Sequence, residues 1–484
     1  MLDHPHASPN RLATILLLVL VVIALLRDVY LLFRHSVAVG IDGYYYVLQI
    51  ESLHAHRGLF FPTVTPVGLY LLTAVRAWIS NPVVALKLGA MASHLSLCLG
   101  IYVLLKLLTK SDIYALCGVL IIATSNLHGF LLSEFLSNSI AVSFSIWSGV
   151  FALMINRRAG TLAVIAAGLC TLLAIFSHRS GVFLLGLFFV SFVLFRLMTA
   201  SDATIFKKTI ALGVSVVLFF IPQVVQPPGI LTLGRLALLE KTLLLVGSVS
   251  LLLFIRNGED RRHRLMYRVS GAIALMTLLI TLNPFLNREN GSLSVAERLS
   301  LLAYIQLAIL MPILFSLSSS MLTRWALPAC LAASVLFSAV SLQMIPPKGL
   351  SNEYLARRAE LIDTLAKHRG TLDGVKLVIA PHGDQFVVTE ILGIPAQQKW
   401  TSNQQDSPYW LLQRFSNVHG RDGNGAIKLD GETLLMRQDR LDELLGSLDI
   451  SEIRRSLPDN PHLIGRLVKQ EGSGVNIMVK DAIR

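Results

Sequence analysis

The apolar stretch at residues 12–26 decides the fold class, and it reads LATILLLVLVVIALL. Comparable runs recur through the first 345 residues, and a helix of about 20 apolar residues crosses a bilayer. Of the 484 residues, 54% are hydrophobic and 15% are charged, whereas soluble proteins carry about 25% charged residues. Residues 1–345 are therefore predicted to form a membrane domain, and the composition excludes a cytosolic enzyme.

About eleven membrane-spanning helices are expected from the length of the apolar runs. They are centred in 12–33, 84–108, 112–128, 137–155, 160–177, 181–198, 208–226, 236–255, 266–282, 299–317 and 325–345. The stretch 66–79 is shorter and contains Arg76. We predict that it forms an interfacial helix that does not cross the bilayer.

Charge divides the chain into two predicted domains. Residues 346–484 contain 18 Lys and Arg and 18 Asp and Glu, so the net charge of +12 belongs to residues 1–345. Basic residues between apolar runs indicate membrane orientation, and we expect no nucleic-acid partner. The positive-inside rule places the N-terminus in the cytoplasm and residues 346–484 outside, as a small extracytoplasmic α/β domain. The predicted location is the plasma membrane, specifically a bacterial inner membrane.

The first outer loop, residues 34–65, contains the leading candidate for a catalytic residue. Asp42 lies between two glycines and precedes three tyrosines, of which Tyr44 and Tyr45 are candidate substrate-binding residues. Glycines permit a tight turn, and tyrosines offer ring stacking and a hydroxyl donor at an interface. An ordinary loop aspartate beside an aromatic belt explains the same pattern, so both interpretations stay open.

An acidic residue outside the first span, an aromatic segment and a Pro-led short helix together resemble the GT-C superfamily of polytopic glycosyltransferases. The protein O-mannosyltransferases and aminoarabinose transferases are the most similar group. There the first outer loop carries a catalytic Asp, which Asp42 matches, and the second carries another acid, which Glu134 matches. Residues 61–70 match the Pro-led helix but lack its double proline. For Glu134 the alternative is a carboxylate that stabilises a helix N-terminus.

The resemblance implies a sugar donor attached to polyprenyl phosphate and a reaction at the membrane surface. Asp42 would act as general base toward an acceptor hydroxyl, and a single displacement would invert the anomeric carbon. The leaving lipid phosphate needs cationic donors, for which the candidates are His178, Arg179, Arg288 and Arg298. Interfacial anchoring explains these four residues equally well.

Acceptor and metal dependence stay open. A glycolipid, a polymer of the cell envelope or a protein could each supply the acceptor hydroxyl. A divalent cation is also left open, because oligosaccharyltransferases use one, whereas mannosyl- and aminoarabinose-type enzymes are not thought to need it.

Three other functions remain as alternatives: a membrane transporter or flippase of lipid-linked saccharide, a surface polysaccharide polymerase or ligase, and a non-catalytic assembly protein. A transporter is expected to carry ionisable groups in the middle of the membrane. Here we predict them at the span ends, with Glu240 and Lys241 as the main exception. A polymerase or ligase typically has its large soluble segment between spans, whereas this chain has a C-terminal tail.

Overall fold

The computed structural model describes residues 11–155, 160–199, 261–282, 302–317, 348–367, 369, 378–380, 382–393, 396–397, 410–414, 426–428, 433–437, 465–470 and 474–479. The chain divides into two compact units, Met1–Leu355 and Ala356–Arg484. The spans predicted at 208–226, 236–255 and 325–345 lie outside the described residues. The domain boundary at 345/346 and the count of eleven spans stay predictions.

The described part of the first unit is helical. Its helices are α1 (Arg11–Phe33), α2 (Gly43–His54), α3 (Val67–Arg76), α4 (Pro82–Thr109), α5 (Asp112–Thr124), α6 (Asn126–Glu134), α7 (Leu136–Met154), α8 (Gly160–Ser177), α9 (Arg179–Thr199), α10 (Arg261–Leu282) and α11 (Ala303–Leu317). Five of them, α1, α4, α7, α8 and α9, are long and apolar enough to cross a membrane. The prediction of an α-helical multi-pass membrane protein is confirmed for this part of the chain.

The core of the first unit lies where α4, α5, α7, α10 and α11 pack together. Leu97, Val119, Val142 and Ala308 are fully buried there. By contrast α1 and α8 leave large apolar side chains exposed, for example Leu162 at 78%. A helix that is apolar on its exposed face is stable in lipid rather than in water, so α1 and α8 are suited to the rim of the bundle.

The short helix predicted within 66–79 is α3, which has ten residues. At about 15 Å it cannot cross a hydrocarbon core of about 30 Å. Polar contacts hold α3 and its preceding loop against α2. The side chains of Arg76 and Glu51 form an ion pair, and the amide of Gln49 makes two hydrogen bonds with the backbone of Phe61, at 2.8 and 3.2 Å.

The third predicted span, 112–128, differs from the structure. It is a broken helix in which α5 ends at Thr124, Ser125 is extended, and α6 continues to Glu134. The segment that the prediction leaves as an outer loop is therefore mostly helical. The polar residues at 124–126 are also expected at the outer end of a span, so the sequence pattern did not distinguish a break within the helix from the end of the span.

The second unit contains helices and strands. The helix α12 (Asn352–Lys367) starts in the first unit, after a 3₁₀ turn at Lys348–Leu350, and α13 (Asp384–Leu392) follows a turn at 382–383. The strands are β1 (Val378–Ile379), β2 (Ala396–Gln397), β3 (Trp410–Arg414), β4 (Ala426–Lys428), β5 (Thr433–Arg437), β6 (Gly465–Gln470) and β7 (Gly474–Val479). A mixed sheet has the order β2-β1-β3-β5-β4, and β6 and β7 form a separate antiparallel pair.

In the mixed sheet, β1 is parallel to both β2 and β3. The strand β5 is antiparallel to both β3 and β4. Parallel neighbours need a crossover connection, and α13 lies in the chain between β1 and β2.

Candidate active site

Glu134 contacts the segment that carries Asp42, although 92 residues separate the two acids in the chain. Its Oε2 accepts a hydrogen bond of 2.7 Å from the backbone amide of Ile41, the residue before Asp42. Hydrogen bonds to an ionised acceptor are stronger than those between neutral groups. The structure therefore brings the two acidic residues predicted from the sequence to one end of the helical unit.

A close backbone approach at Gly40 makes this contact possible. Gly40 has a φ of +85°, and a Cβ at this position would lie 1.7 Å from the backbone oxygen of Ser133. Gly40 also donates its amide to the carbonyl of Gly349 at 3.0 Å. A Cβ on Gly349 would come within 2.0 Å of Glu134 Oε1. Two glycines from distant parts of the chain thus let three backbone segments meet around one carboxylate.

Glu134 lies between two helix ends, because it is the last residue of α6 and directly precedes Phe135, the N-cap of α7. The helix dipole disfavours negative charge at the C-terminus of α6 and favours it at the N-terminus of α7. Phe135 interrupts the helix, and α7 begins at Leu136. The hydrogen bond to Ile41 ties α6 to the start of α2.

Asp42 is the N-cap residue of α2, and its side chain makes no capping hydrogen bond with that helix. The residue is half-buried. Tyr44 is buried, whereas Tyr45 is half-buried and stacks on Phe61 with ring centroids 5.7 Å apart. Burial raises the pKa of the Tyr45 and Tyr46 hydroxyls above their ordinary value. Both phenols are therefore neutral at physiological pH and are suited to hydrogen bonding rather than to base catalysis.

Of the predicted cationic residues, His178 lies in the tight turn between α8 and α9, and Arg179 is the first residue of α9. His178 Nδ1 accepts the Ser180 amide at 3.1 Å, and Arg179 is exposed. The hydroxyl of Ser180 donates to Asn138 at the start of α7, at 3.3 Å. This turn is therefore at the same end of the unit as Glu134, which is four residues before Asn138. Arg288 and Arg298 lie outside the described residues.

Inside the helical unit, ionisable residues form a buried cluster that was not predicted from the sequence. Asp28 Oδ2 is 2.6 Å from Nδ1 of His94. The rings of His94 and His128 are in contact, with centroids 3.8 Å apart and planes tilted by 35°, and Nδ1 of His128 is 2.7 Å from the hydroxyl of Tyr304. All four residues are at most 1% exposed. We call these four residues the buried polar cluster.

The buried polar cluster corrects the expectation that ionisable groups lie at the span ends. His94 is in the interior of the 28-residue helix α4, twelve residues after Pro82, which is about 18 Å along its axis. Charged or titratable residues inside a membrane bundle are costly and usually functional. The isolated histidine in an apolar run was the sequence signal for this cluster, and its aspartate partner follows Arg27 in the first span.

Lys87 is a second polar group that the sequence did not single out. It is 3% exposed, its Nζ donates to the His35 carbonyl at 2.6 Å, and it lies 5.2 Å from the ring centroid of Phe33. A small cavity next to it is lined by apolar side chains together with Tyr46, Lys87 and Ser133. Within the described ranges, no group of three or more His, Cys, Asp and Glu residues could hold a metal ion.

The fold and the site together define a polytopic helical membrane protein with an acidic site at one end of its bundle. No protein-family model matches the chain, and no curated protein matches it. Among solved structures, it is similar to the crystal structure of ArnT from Cupriavidus metallidurans in the apo state. That match has 14% identity and a TM-score of 0.46, and it covers 88% of this chain and 98% of the ArnT chain.

The structure of the same ArnT bound to undecaprenyl phosphate gives an equivalent match, with 14% identity, a TM-score of 0.46 and coverage of 89% of this chain and 98% of that chain. At this identity and TM-score, the likeness decides neither the family nor the activity of this chain.

Proposed function

We propose that this protein is a membrane glycosyltransferase that moves a sugar from a polyprenyl-phosphate donor to an acceptor hydroxyl on the extracytoplasmic face. The observation that carries the proposal is the hydrogen bond between Glu134 and the Ile41 amide, beside Asp42. The same family resemblance singled out both acids, and this hydrogen bond supports the proposal that they belong to one site. An accidental loop aspartate would not be expected to lie on a segment held by a second buried carboxylate.

In the proposed reaction Asp42 is the general base. Its carboxylate takes the proton of the acceptor hydroxyl while that oxygen forms a bond to the anomeric carbon. The bond from the anomeric carbon to the phosphate oxygen breaks, and the lipid phosphate leaves as an anion. A single displacement of this kind inverts the anomeric centre. The half-buried position of Asp42 at the start of α2 supports this role.

Glu134 is proposed to fix the backbone of the Asp42 segment and to add negative charge near the acceptor. Tyr44 and Tyr45 are proposed to bind substrate, and Tyr45 has the more accessible ring. His178 and Arg179 are proposed cations for the leaving phosphate, with support from their place at the same end of the unit. Arg288 and Arg298 keep the same predicted role.

The proposed setting is a bacterial inner membrane, with the N-terminus in the cytoplasm and the C-terminal unit outside. Such a site at a membrane surface suits a donor whose polyprenyl tail stays in lipid while its sugar is outside.

The test is sugar transfer by purified protein in lipid, with a panel of polyprenyl-phosphate sugars, for the wild type and Asp42→Asn. We expect wild-type turnover, and a loss of about 10²–10⁴-fold in Asp42→Asn because a positioned general base contributes that much. The matched control is Asp112→Asn, since Asp112 pairs with Lys106 at the opposite end of the bundle. Turnover that does not depend on Asp42 would contradict the assigned base.

A transporter or flippase of lipid-linked saccharide is the second candidate, and the buried polar cluster favours it. Asp28 and His94 form a titratable pair inside the bundle, as proton-coupled transporters often have. Movement of a labelled lipid-linked saccharide across proteoliposome membranes, without sugar transfer, would support this alternative over the transferase.

A further inference from the structure

We propose that Arg27 and the buried polar cluster are positioning residues: they fix the break between α5 and α6 and thereby hold Glu134 against the Ile41 amide. The inference rests on the proposed function for its catalytic consequence, whereas its structural part can be tested without turnover.

The break at Ser125 leaves backbone carbonyls that a continuous helix would have used. The last carbonyls of an α-helix have no intrahelical partner, and inside a membrane bundle water cannot replace that partner freely. Arg27 supplies the missing donors. Its Nη1 donates to the Ala123 carbonyl and its Nη2 donates to the Ser125 carbonyl, each at 2.6 Å.

The planar fork of an arginine suits this task. A guanidinium presents several donors in fixed directions. One side chain therefore binds the Ala123 carbonyl before the break and the Ser125 carbonyl at the break. Helices α1 and α6 also approach closely, since a Cβ on Gly129 of α6 would lie 3.2 Å from Nη2 of Arg27 on α1. The break is therefore fixed relative to α1 by contacts to its backbone as well as by packing.

Asp28, the next residue of α1, fixes the same region from a second direction. Consecutive residues on a helix point about 100° apart, so Arg27 reaches the break while Asp28 reaches His94 on α4. The ring of His94 contacts the ring of His128, which belongs to α6. Tyr304 of α11 contacts the other side of His128 through its hydroxyl. Helices α1, α4 and α11 thus together hold His128 near the start of α6, with α1 acting through His94.

The position of His128 sets the position of Glu134. The two residues are six apart on the nine-residue helix α6, which is about 9 Å along its axis. A short helix that is fixed near its first turn carries its last residue as a rigid arm. Loss of the contacts at the break would therefore move the Glu134 carboxylate away from Ile41 and loosen the Asp42 segment.

The test is amide hydrogen exchange of the full-length protein in lipid, compared between the wild type and Arg27→Gln. We expect faster exchange in residues 126–134 and, together with it, in residues 38–43, which include the Ile41 amide. The matched control is Arg11→Gln on the same helix, where the exposed Arg11 begins α1. We expect no change in either segment for the control.

The kinetics of sugar transfer provide a second measurement, which depends on the proposed function. Arg27→Gln should lower kcat by about 10–10²-fold, because a displacement of about 1 Å can cost that much, while KM changes less than kcat. Arg27→Lys should restore exchange and kcat only in part, since one ammonium replaces the fork. Tyr304→Phe, which keeps the ring and removes the contact to His128, should shift both measurements in the same direction by less. If Arg27→Gln does not fold, Tyr304→Phe provides the test of the proposal.

Faster exchange in 126–134 with an unchanged 38–43 segment would overturn the proposal, because the break would then act only locally. Unchanged exchange in both segments would also overturn it. If the wild type transfers no sugar but both segments exchange faster in Arg27→Gln, the positioning stands and the proposed transferase fails.

Discussion

Two connections at the site end of the helical unit differ in how firmly the chain holds them. The segment around Asp42 is tied to distant backbone, through Ile41 to Glu134 and through Gly40 to the Gly349 carbonyl. The turn at 178–180 is short and closes on itself, and Ser180 links it to Asn138. Both connections were predicted to face the substrate.

The difference shows which part of the site requires an exact position. Gly40 has a backbone conformation that other residues adopt only at a cost, and surrounding structure must maintain such a conformation. A general base needs that accuracy, because proton transfer depends on hydrogen-bond geometry. A cation that attracts a lipid phosphate acts at longer range and tolerates an exposed position, as Arg179 has.

Among the variants that compare these two connections, the largest effect is expected from Gly40→Ala. The added methyl would lie 1.7 Å from the Ser133 backbone oxygen, so one of the two segments must move. We expect a loss of about 10²-fold in sugar transfer. Gly58→Ala is the matched control, since Gly58 has a similar φ of +81° but no atom within 4 Å of the added Cβ. Equal losses in the two variants would show that backbone strain, rather than contact with Ser133, accounts for the effect.

A smaller effect is expected from Glu134→Gln, which keeps the shape and removes the charge. A hydrogen bond to a charged acceptor is worth about 1 kcal/mol more than a neutral one, which corresponds to about a fivefold to tenfold loss in turnover. The measurement is kcat for sugar transfer. Glu51→Gln in the same outer region is the control, because Glu51 pairs with Arg76. If Glu134→Gln kept full activity, the negative charge of Glu134 would have no role in the proposed reaction.

The smallest effect is expected from Arg179→Gln in the turn. Contacts of exposed charges are worth about 0.2–1 kcal/mol, so we expect KM for the donor to rise less than about fivefold, with kcat unchanged. Arg57→Gln is the control, because Arg57 is also exposed in the predicted outer region. The difference in KM between Arg179→Gln and the wild type should become smaller at high salt. A loss as large as that of Gly40→Ala would contradict the distinction between the two connections.

The five long apolar helices were predicted well from the sequence. The run 160–177 is α8 to the residue, and 84–108 agrees with α4 within two residues. Membrane helices form their own backbone hydrogen bonds, so length and hydropathy define them locally. The short helix at 66–79 was recognised for the same reason.

The break in the third span and the buried polar cluster could not be predicted in this way. Polar residues at 124–126 are equally expected where a span ends, and the sequence does not show that Arg27 binds the carbonyls of Ala123 and Ser125 at the break. Likewise Asp28 follows Arg27 near the outer end of a span and resembles an interfacial residue in the sequence. Only its pairing with His94 shows that it is buried.

The sequence by itself determined that this chain is a multi-pass helical membrane protein, and it singled out Asp42 and Glu134 as acids outside the spans. Hydropathy and charge act locally along the chain, so a linear pattern contains that information. The tertiary structure alone decided that Glu134 binds the segment of Asp42 and that Arg27, Asp28, His94 and His128 meet inside the bundle. These contacts depend on directional hydrogen bonds between residues far apart in sequence, and such bonds exist only when helix packing brings the partners within about 3 Å.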